Sequence, residues 1–308
     1  MRIVIVEDSP LLRDNLVRLL AAHPELCVVG SAAGEDDAFA LIEAQRPDTV
    51  LLDLSLSEGS GIGLLRRVRA TPGLAPRVVV LSSRSADPWE AVCREAGADV
   101  FLDKAEDTKV LLAQLASWMP PLPLDEPRRC RRLRQLQVLD TRPEPALDAI
   151  ARLAARIAEV PVGVISLVDS HRQWFKARVG TEMQTTSRTV SLCAHALVGE
   201  GLFEVEDATA DPRFADNPLV RGEPGVRFYA GMPLVMPGGE AVGTLCVLDT
   251  RPRRLGATAR EALAVLARSV TDELELRQRV GELEEEVARR HEAEARIMQL
   301  ATRDALTG

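Results

Sequence analysis

With 308 residues, 46% of them apolar and 27% charged, the chain is long enough for two domains plus an extension, each domain able to bury its own core. A net charge of −8 argues against nucleic acid as the main partner, and no apolar run approaches the ~18 to 20 residues of a membrane span. The five cysteines are scattered, which fits a reducing cytoplasm better than a disulfide framework, and the N-terminus begins a strand at Arg2 without room for a signal peptide.

Over residues 1–119, short apolar runs alternate five times with amphipathic segments. The runs are Ile3 to Val6, Cys27 to Val29, Thr49 to Leu52, Val78 to Leu81 and Val100 to Leu102. Helical patterns fall near Leu11 to Leu20, Asp37 to Ala44, Ile62 to Val68, Trp89 to Ala96 and Val110 to Trp118. Continuous apolar strands separated by helices predict an α/β doubly wound, flavodoxin-like parallel sheet, with functional groups at the carboxyl ends of its strands. Those ends carry Glu7 and Asp8, Asp53, Ser82 and Lys104. Carboxylates gathered at one rim repel by about 3 kcal/mol per pair at about 5 Å and an effective dielectric of about 20. A hard divalent cation such as Mg²⁺ relieves that repulsion. With Lys104 as a fixed positive charge beside it, Asp53 can act as a nucleophile toward a phosphoryl group. The glycines at 59, 61 and 63 let the loop turn tightly into the third helix rather than cradle a nucleotide.

Together Glu7-Asp8, Leu51-Leu-Asp53 with Gly61, Leu81-Ser82-Ser83 and Phe101-Leu-Asp-Lys104 resemble the response-regulator receiver domain along its whole length. The resemblance implies that Glu7, Asp8, Asp53 and the Ser55 backbone carbonyl hold Mg²⁺ and that a sensor histidine kinase phosphorylates Asp53. It further implies catalytic roles for Ser82 and Lys104, with Ser82 and Phe101 as the switch pair. Two departures stand out: Ser57 and Ala105 occupy positions where the family usually has proline. The second removes a probable cis peptide after the fifth strand.

Residues 120–127 hold four prolines and read as a linker. The basic run from Arg128 to Arg134 reads as the solvated face of a helix, and a second helix is expected over Ala146 to Ile157. Val162 to Val168, Glu204-Val205 and Ala241 to Leu248 read as strands of an antiparallel sheet, with a hairpin turn at Pro237-Gly-Gly239. Residues 128–276 resemble an α+β GAF domain. The resemblance rests on Asp-Thr141, Arg172-Gln-Trp174-Phe-Lys, Leu192-Cys-Ala-His195, the Asp211 to Asn217 stretch and Arg227-Phe-Tyr-Ala-Gly231, with Leu192 where that subgroup commonly has phenylalanine. Trp174, Cys193, His195, Phe214, Asn217, Arg227 and Tyr229 are candidates either for lining a small-molecule pocket or for the framework of a rigid transmitter.

From Leu263 onward the chain is free of proline and apolar at heptad-like spacing. Leu276, Val280, Leu283 and Val287 form the seam of a two-stranded coiled coil, which predicts a parallel homodimer with a signalling helix over residues 277–302. A helix from about Ala257 to Thr302 would be roughly 70 Å long. The register falters after Val287, where either Arg290 and Glu294 or His291, Ala295 and Met298 could take the seam. Residues 303–308 contain Asp304-Ala-Leu-Thr-Gly308, which resembles the start of a GGDEF diguanylate cyclase domain. The expected whole is the regulatory part of a response regulator that controls cyclic di-GMP synthesis from GTP. His291-Glu292 prompts the alternative of a hybrid histidine kinase, although Ala293-Glu-Ala follows where such helices continue with Leu-Arg and proline.

Overall fold

The structure, a computed structural model, describes every residue except 24, 84–85, 105–107 and 308, and of residues 86–88 and 292–307 it describes the backbone alone. The chain forms two compact units. In the first, strands β1 (Arg2–Val6), β2 (Cys27–Ala32), β3 (Thr49–Asp53), β4 (Arg77–Ser82) and β5 (Val100–Asp103) pair in parallel in the order β2-β1-β3-β4-β5. Helices α1 (Pro10–Ala21), α2 (Glu35–Gln45), α3 (Gly61–Ala70), α4 (Ala86–Glu95) and α5 (Thr108–Ser117) make the connections.

Strand residues alternate between two cores. Ile3, Ile5, Leu51, Val79 and Leu81 pack with Leu20 of α1 and with Leu111 and Leu115 of α5. Val4, Val6, Val50, Leu52, Val78 and Val80 pack with Phe39 and Ile42 of α2, Leu64 and Val68 of α3, and Cys93 of α4. Burial on both faces is why these strands read as unbroken apolar runs. The strand order reverses between β1 and β3, so Glu7 and Asp53 come to lie at the crevice where such sheets bind ligands.

Local signals set the loops at that crevice. Ser9 and Ser60 cap α1 and α3 by accepting from backbone N–H groups of the first turn. Gly59 adopts φ 81°, and a Cβ at Gly61 would lie 2.3 Å from the Asp53 carbonyl oxygen and 2.8 Å from Leu54 Cα. Gly61 therefore lets the loop after β3 close on Asp53 itself.

The second unit contains α6 (Glu126–Gln135), α7 (Pro145–Ile157), β6 (Val162–Val168), β7 (Arg172–Val179), β8 (Thr185–Ser187), α8 (Leu192–Ala196), β9 (Phe203–Val205), α9 (Pro218–Arg221), β10 (Phe228–Val235), β11 (Ala241–Asp249) and α10 (Ala257–Thr307). Its sheet runs β8-β7-β6-β11-β10-β9, and β6, β7, β9, β10 and β11 pair antiparallel. The β10–β11 hairpin turns at Pro237 to Gly239, with Gly239 at φ 90°. One face of the sheet packs on α6, α7 and the start of α10, and the other lies under α8, α9 and their loops.

Helix α10 carries two apolar stripes. Leu263, Ala267, Val270 and Leu274 are buried in the core of this unit. Two residues on from Leu274, about 200° around the helix, a second stripe begins: Leu276, Val280, Leu283 and Val287, each 44–61% exposed. His291 is exposed as well, whereas the side chains of Glu294, Ala295, Arg296 and Met298 and those of the 304–308 motif lie outside the described residues. Among the described residues, no helix is long and apolar enough to cross a membrane.

The basic run is exposed at Arg128, Arg131 and Arg134, as expected of a solvated face, and departs from that expectation at Arg129 and Arg132. Arg129 is 2% exposed and donates to Glu126 and to the Val168 carbonyl, while Arg132 donates to Gln278 of α10 at 2.7 Å. A buried arginine survives here because a carboxylate and a carbonyl satisfy its fork.

Gly61→Ala should destabilise the first unit by about 1–3 kcal/mol, the range for forced backbone shifts in a packed site. Equilibrium denaturation checks this, with Gly201→Ala, where a Cβ meets nothing within 4 Å, as the comparison for backbone strain alone.

Candidate functional site

The acidic rim is assembled by three strand ends. The carboxylate oxygens of Glu7, Asp8 and Asp53 lie within 4.8 Å of one another, with Glu7 and Asp53 buried and Asp8 half-buried. Lys104, the residue after β5, places Nζ 2.7 Å from Glu7 Oε2 and 2.7 Å from Asp53 Oδ2. The other oxygens are also held: Glu7 Oε1 accepts from Ser9 N at 3.2 Å and Asp53 Oδ1 from Ser55 N at 3.2 Å. The Lys104 backbone is anchored in turn, donating to the Ser82 carbonyl at 2.8 Å.

Ser82 ends β4, is buried, and faces Asp103 across the β4–β5 ladder. Phe101 packs on the α2–α3 side of the sheet and is half-buried. Ala105 falls outside the described residues. Ser57, the other departure from the family pattern, is exposed and donates to the Ala33 carbonyl at 3.1 Å. It is a loop tie, and the carboxylates do not depend on it.

Burial pushes the Glu7 carboxyl above its ordinary value, and the hydrogen bond and charge of Lys104 only partly oppose this. Lys104 responds differently. Burial lowers it, but bonds to both Asp53 and Glu7 outweigh burial and leave it raised. One ammonium serving two carboxylates gains from both, whereas each carboxylate receives only a share. Oxygen-only donors, three carboxylates and a remaining surplus of negative charge fit a hard divalent cation such as Mg²⁺.

In the second unit the predicted pocket residues separate. Cys193 and Tyr229 line a cavity of about 100 Å³ together with Val162, Val164, Phe175 and Cys246. Trp174, His195, Phe214, Asn217 and Arg227 do not line it. Trp174 packs against the core on the opposite face of the sheet. His195 meets Phe214 edge-on at 4.7 Å, and Asn217 caps α9 through Leu219 N. Arg227 donates Nη1 to the Val220 carbonyl at 2.8 Å and to that of Gly225 at 3.1 Å, tying down the loop before β10. Polar side chains in this family pattern serve backbone geometry here, because buried loop carbonyls need donors.

The paired motifs explain one another in the same way. Asp140 accepts from Arg172, and Thr141 Oγ1 accepts from the wholly buried Lys176 at 2.8 Å. Lys176 also pairs with Glu144 at 2.6 Å, and Glu144 binds Arg277 of α10 at 2.9 Å. Sequence reading missed this chain of contacts. The signal available was a lysine inside an otherwise strand-like stretch.

Residues 3–116 match the model of the response regulator receiver domain and residues 142–274 that of the GAF domain. The chain is therefore a two-component response regulator receiver domain joined to a GAF domain. Among curated proteins it is 44% identical over 147 residues to a cyclic di-GMP phosphodiesterase of Pseudomonas aeruginosa, covering 48% of this chain and 25% of that protein. It is 31% identical over 113 residues to the nitrate/nitrite response regulator NarL of Escherichia coli, covering 37% and 52%. The alignments thus span a quarter to about half of those relatives' lengths. The BeF₃-activated receiver domain of Klebsiella pneumoniae RstA is 32% identical, with 38% of this chain and 96% of that one covered and a TM-score of 0.35.

The raised carboxyl of Glu7 has a definite sign for stability. Its contribution is complete below the ordinary glutamate range and is lost as pH rises through the raised value, so at neutral pH its ionised form burdens the metal-free fold. Glu7→Gln should stabilise metal-free protein at pH 7, with the difference vanishing near pH 4. The same variant should lose most of the stabilisation that Mg²⁺ gives the native protein. Thermal melts with EDTA and with Mg²⁺ measure both.

Proposed function

We propose that the chain is the phosphorylation-dependent regulatory part of a response regulator whose output acts on cyclic di-GMP, with Asp53 as phosphoacceptor. The observation that carries the Asp53 assignment is its carboxylate, held 2.7 Å from Lys104 Nζ beside Glu7 and Asp8. The Asp53 oxygen attacks the phosphorus of a phosphohistidine; the P–N bond breaks, the imidazole leaves, and an acyl phosphate remains on Asp53. Glu7, Asp8 and Asp53, with the Ser55 carbonyl, are the residues that would hold Mg²⁺, which supplies charge neutralisation for the phosphoryl group. Lys104 exchanges a carboxylate partner for phosphoryl oxygens, keeping a charge-assisted bond throughout. Ser82 and Phe101 are the switch pair that follows the new charge of roughly −1.5 to −2.

Residues 1–119 serve as receiver, 120–127 as linker, 128–276 as GAF domain and 277–302 as signalling helix. The match of Asp304 to Gly308 with the start of a GGDEF domain supports a diguanylate cyclase as output. A second reading, a cyclic di-GMP phosphodiesterase output, is favoured by the 44% identity to such an enzyme. The hybrid-kinase alternative has His291-Glu292 alone behind it. For the GAF domain, a cavity of about 100 Å³ is below the roughly 300 Å³ at which drug-sized ligand sites begin. That supports a transmitter over a sensor of nucleotide-sized ligands.

The exposed stripe from Leu276 to Val287 supports a parallel homodimer through α10.

Incubation with acetyl phosphate and Mg²⁺ should add one phosphoryl group by intact mass, and Asp53→Ala should add none; equal labelling of the variant would overturn the assignment. Sedimentation should show a dimer at micromolar concentration. Leu283→Glu with Val287→Glu should weaken it at least about 100-fold, or roughly 3 kcal/mol.

A further inference from the structure

Cys193 lies in the first turn of α8 and Cys246 in the middle of β11, fifty-three positions apart in sequence, with their Sγ atoms 3.7 Å apart. Both are free thiols, and both line the GAF-domain cavity. That cavity reaches solvent past exposed Gly180, Pro224 and Thr250. At about 100 Å³ it has room for a molecule of the size of hydrogen peroxide, since one water needs only about 10–15 Å³ of such space.

Two further groups complete the surroundings. The hydroxyls of Tyr229 and Thr244 are buried without a hydrogen-bond partner. Tyr229 lines the same cavity, and Thr244 shares one face of β11 with Cys246. Gly231, paired with Cys246 across the ladder, leaves the space that the Tyr229 ring occupies: a Cβ there would lie 2.2 Å from the Tyr229 hydroxyl. The motif thus places two unclaimed donors beside two sulfurs. Unsatisfied buried hydroxyls are rare in folded proteins and call for a role.

We propose that Cys193 and Cys246 form a paired-thiol modification site that reacts with a small peroxide and closes to a disulfide linking α8 to the central sheet. The inference is independent of Asp53 phosphorylation and of the output domain. Cys193 is the attacking sulfur. Burial pushes its thiol up, the Cys246 thiol 3.7 Å away opposes this, and the balance lies below its ordinary value. Cys246 is pushed well above its own by the hydrogen bond to Cys193 and then by burial, so it is the resolving thiol.

With hydrogen peroxide, the Cys193 thiolate attacks one oxygen and the O–O bond breaks. The departing hydroxide takes a proton to become water, leaving a sulfenic acid on Cys193. Cys246 sulfur then attacks Cys193 sulfur; the S–O bond breaks, and the leaving hydroxide takes the Cys246 proton as a second water. Two electrons pass from the thiols to the peroxide. Closing from 3.7 Å to a disulfide draws the sulfurs together by about 1.6 Å. The cavity wall at α8 moves with them.

The test treats the reduced, native 308-residue chain with stoichiometric hydrogen peroxide, then alkylates free thiols after denaturation and maps peptides without reductant. Two of the five cysteines should escape alkylation, joined as Cys193–Cys246, and dithiothreitol should restore all five. In Cys246→Ser, a dimedone-type probe should trap a sulfenic acid on Cys193; in Cys193→Ser neither product should form. The wild-type count does not depend on either variant folding. Five alkylated thiols, a crosslink between another pair, oxidation confined to exposed Cys27, or a 193–246 bond appearing only in denaturant would each overturn the proposal.

Discussion

A single ammonium between two buried carboxylates organises the first unit. Lys104 Nζ is 2.7 Å from both Glu7 and Asp53. Doubly wound topology forces this meeting, because the strand order reverses between β1 and β3 and brings their carboxyl ends to one crevice. Without the lysine, carboxylates within 4.8 Å of one another would have to protonate or separate. With it, negative charge still exceeds positive charge, and the site remains able to take a cation and a phosphoryl group. The raised Glu7 carboxyl and the raised Lys104 ammonium are two sides of that imbalance. Stability is given up locally, as is common where ionisable groups gather in one site.

The GAF domain handles the buried Lys176 in the opposite manner, by giving each of its donors an acceptor. Lys176, fully enclosed, is satisfied by Glu144, Thr141 and the Arg142 carbonyl. Glu144 in turn reaches Arg277, which also donates to the carbonyls of Leu136 and Gln137. Arg132 adds Gln278. These contacts grip α10 at Arg277 and Gln278, just where its buried stripe ends and its exposed stripe begins. The grip and the exposed stripe are adjacent by construction, since both follow from one uninterrupted helical register.

Much of this was legible in the residues. Period and burial on two faces were enough to place the five parallel strands and their helices, because continuous β-branched and leucine runs have few other uses. The residues at the strand ends named the acidic site, since Glu7, Asp8, Asp53 and Lys104 follow directly on short apolar runs and the topology that gathers them is fixed by the alternation. The apolar stripe from Leu276 to Val287 was likewise visible as spacing alone, and its exposure follows from its offset of two residues from Leu274.

Other features had no local signature. Strand β7 carries Arg172 and Lys176 within a strand-like stretch, and the distant Asp140 and Glu144 make those charges tolerable there. Arg129 looked solvated for the same reason, its partners lying three residues away and across the sheet at Val168. The division of the aromatic and polar motif residues into cavity lining and framework depended on which face of the sheet each one met. The 3.7 Å approach of Cys193 and Cys246 arises because α8 lies over β11. By itself, then, the sequence determined the fold class, the strand-end chemistry and the exposed stripe, all of which depend on periodicity and on residues adjacent to it. Only the tertiary structure decided which charges are buried, which motif residues reach the cavity and which sulfurs meet, because most of those contacts join residues far apart along the chain.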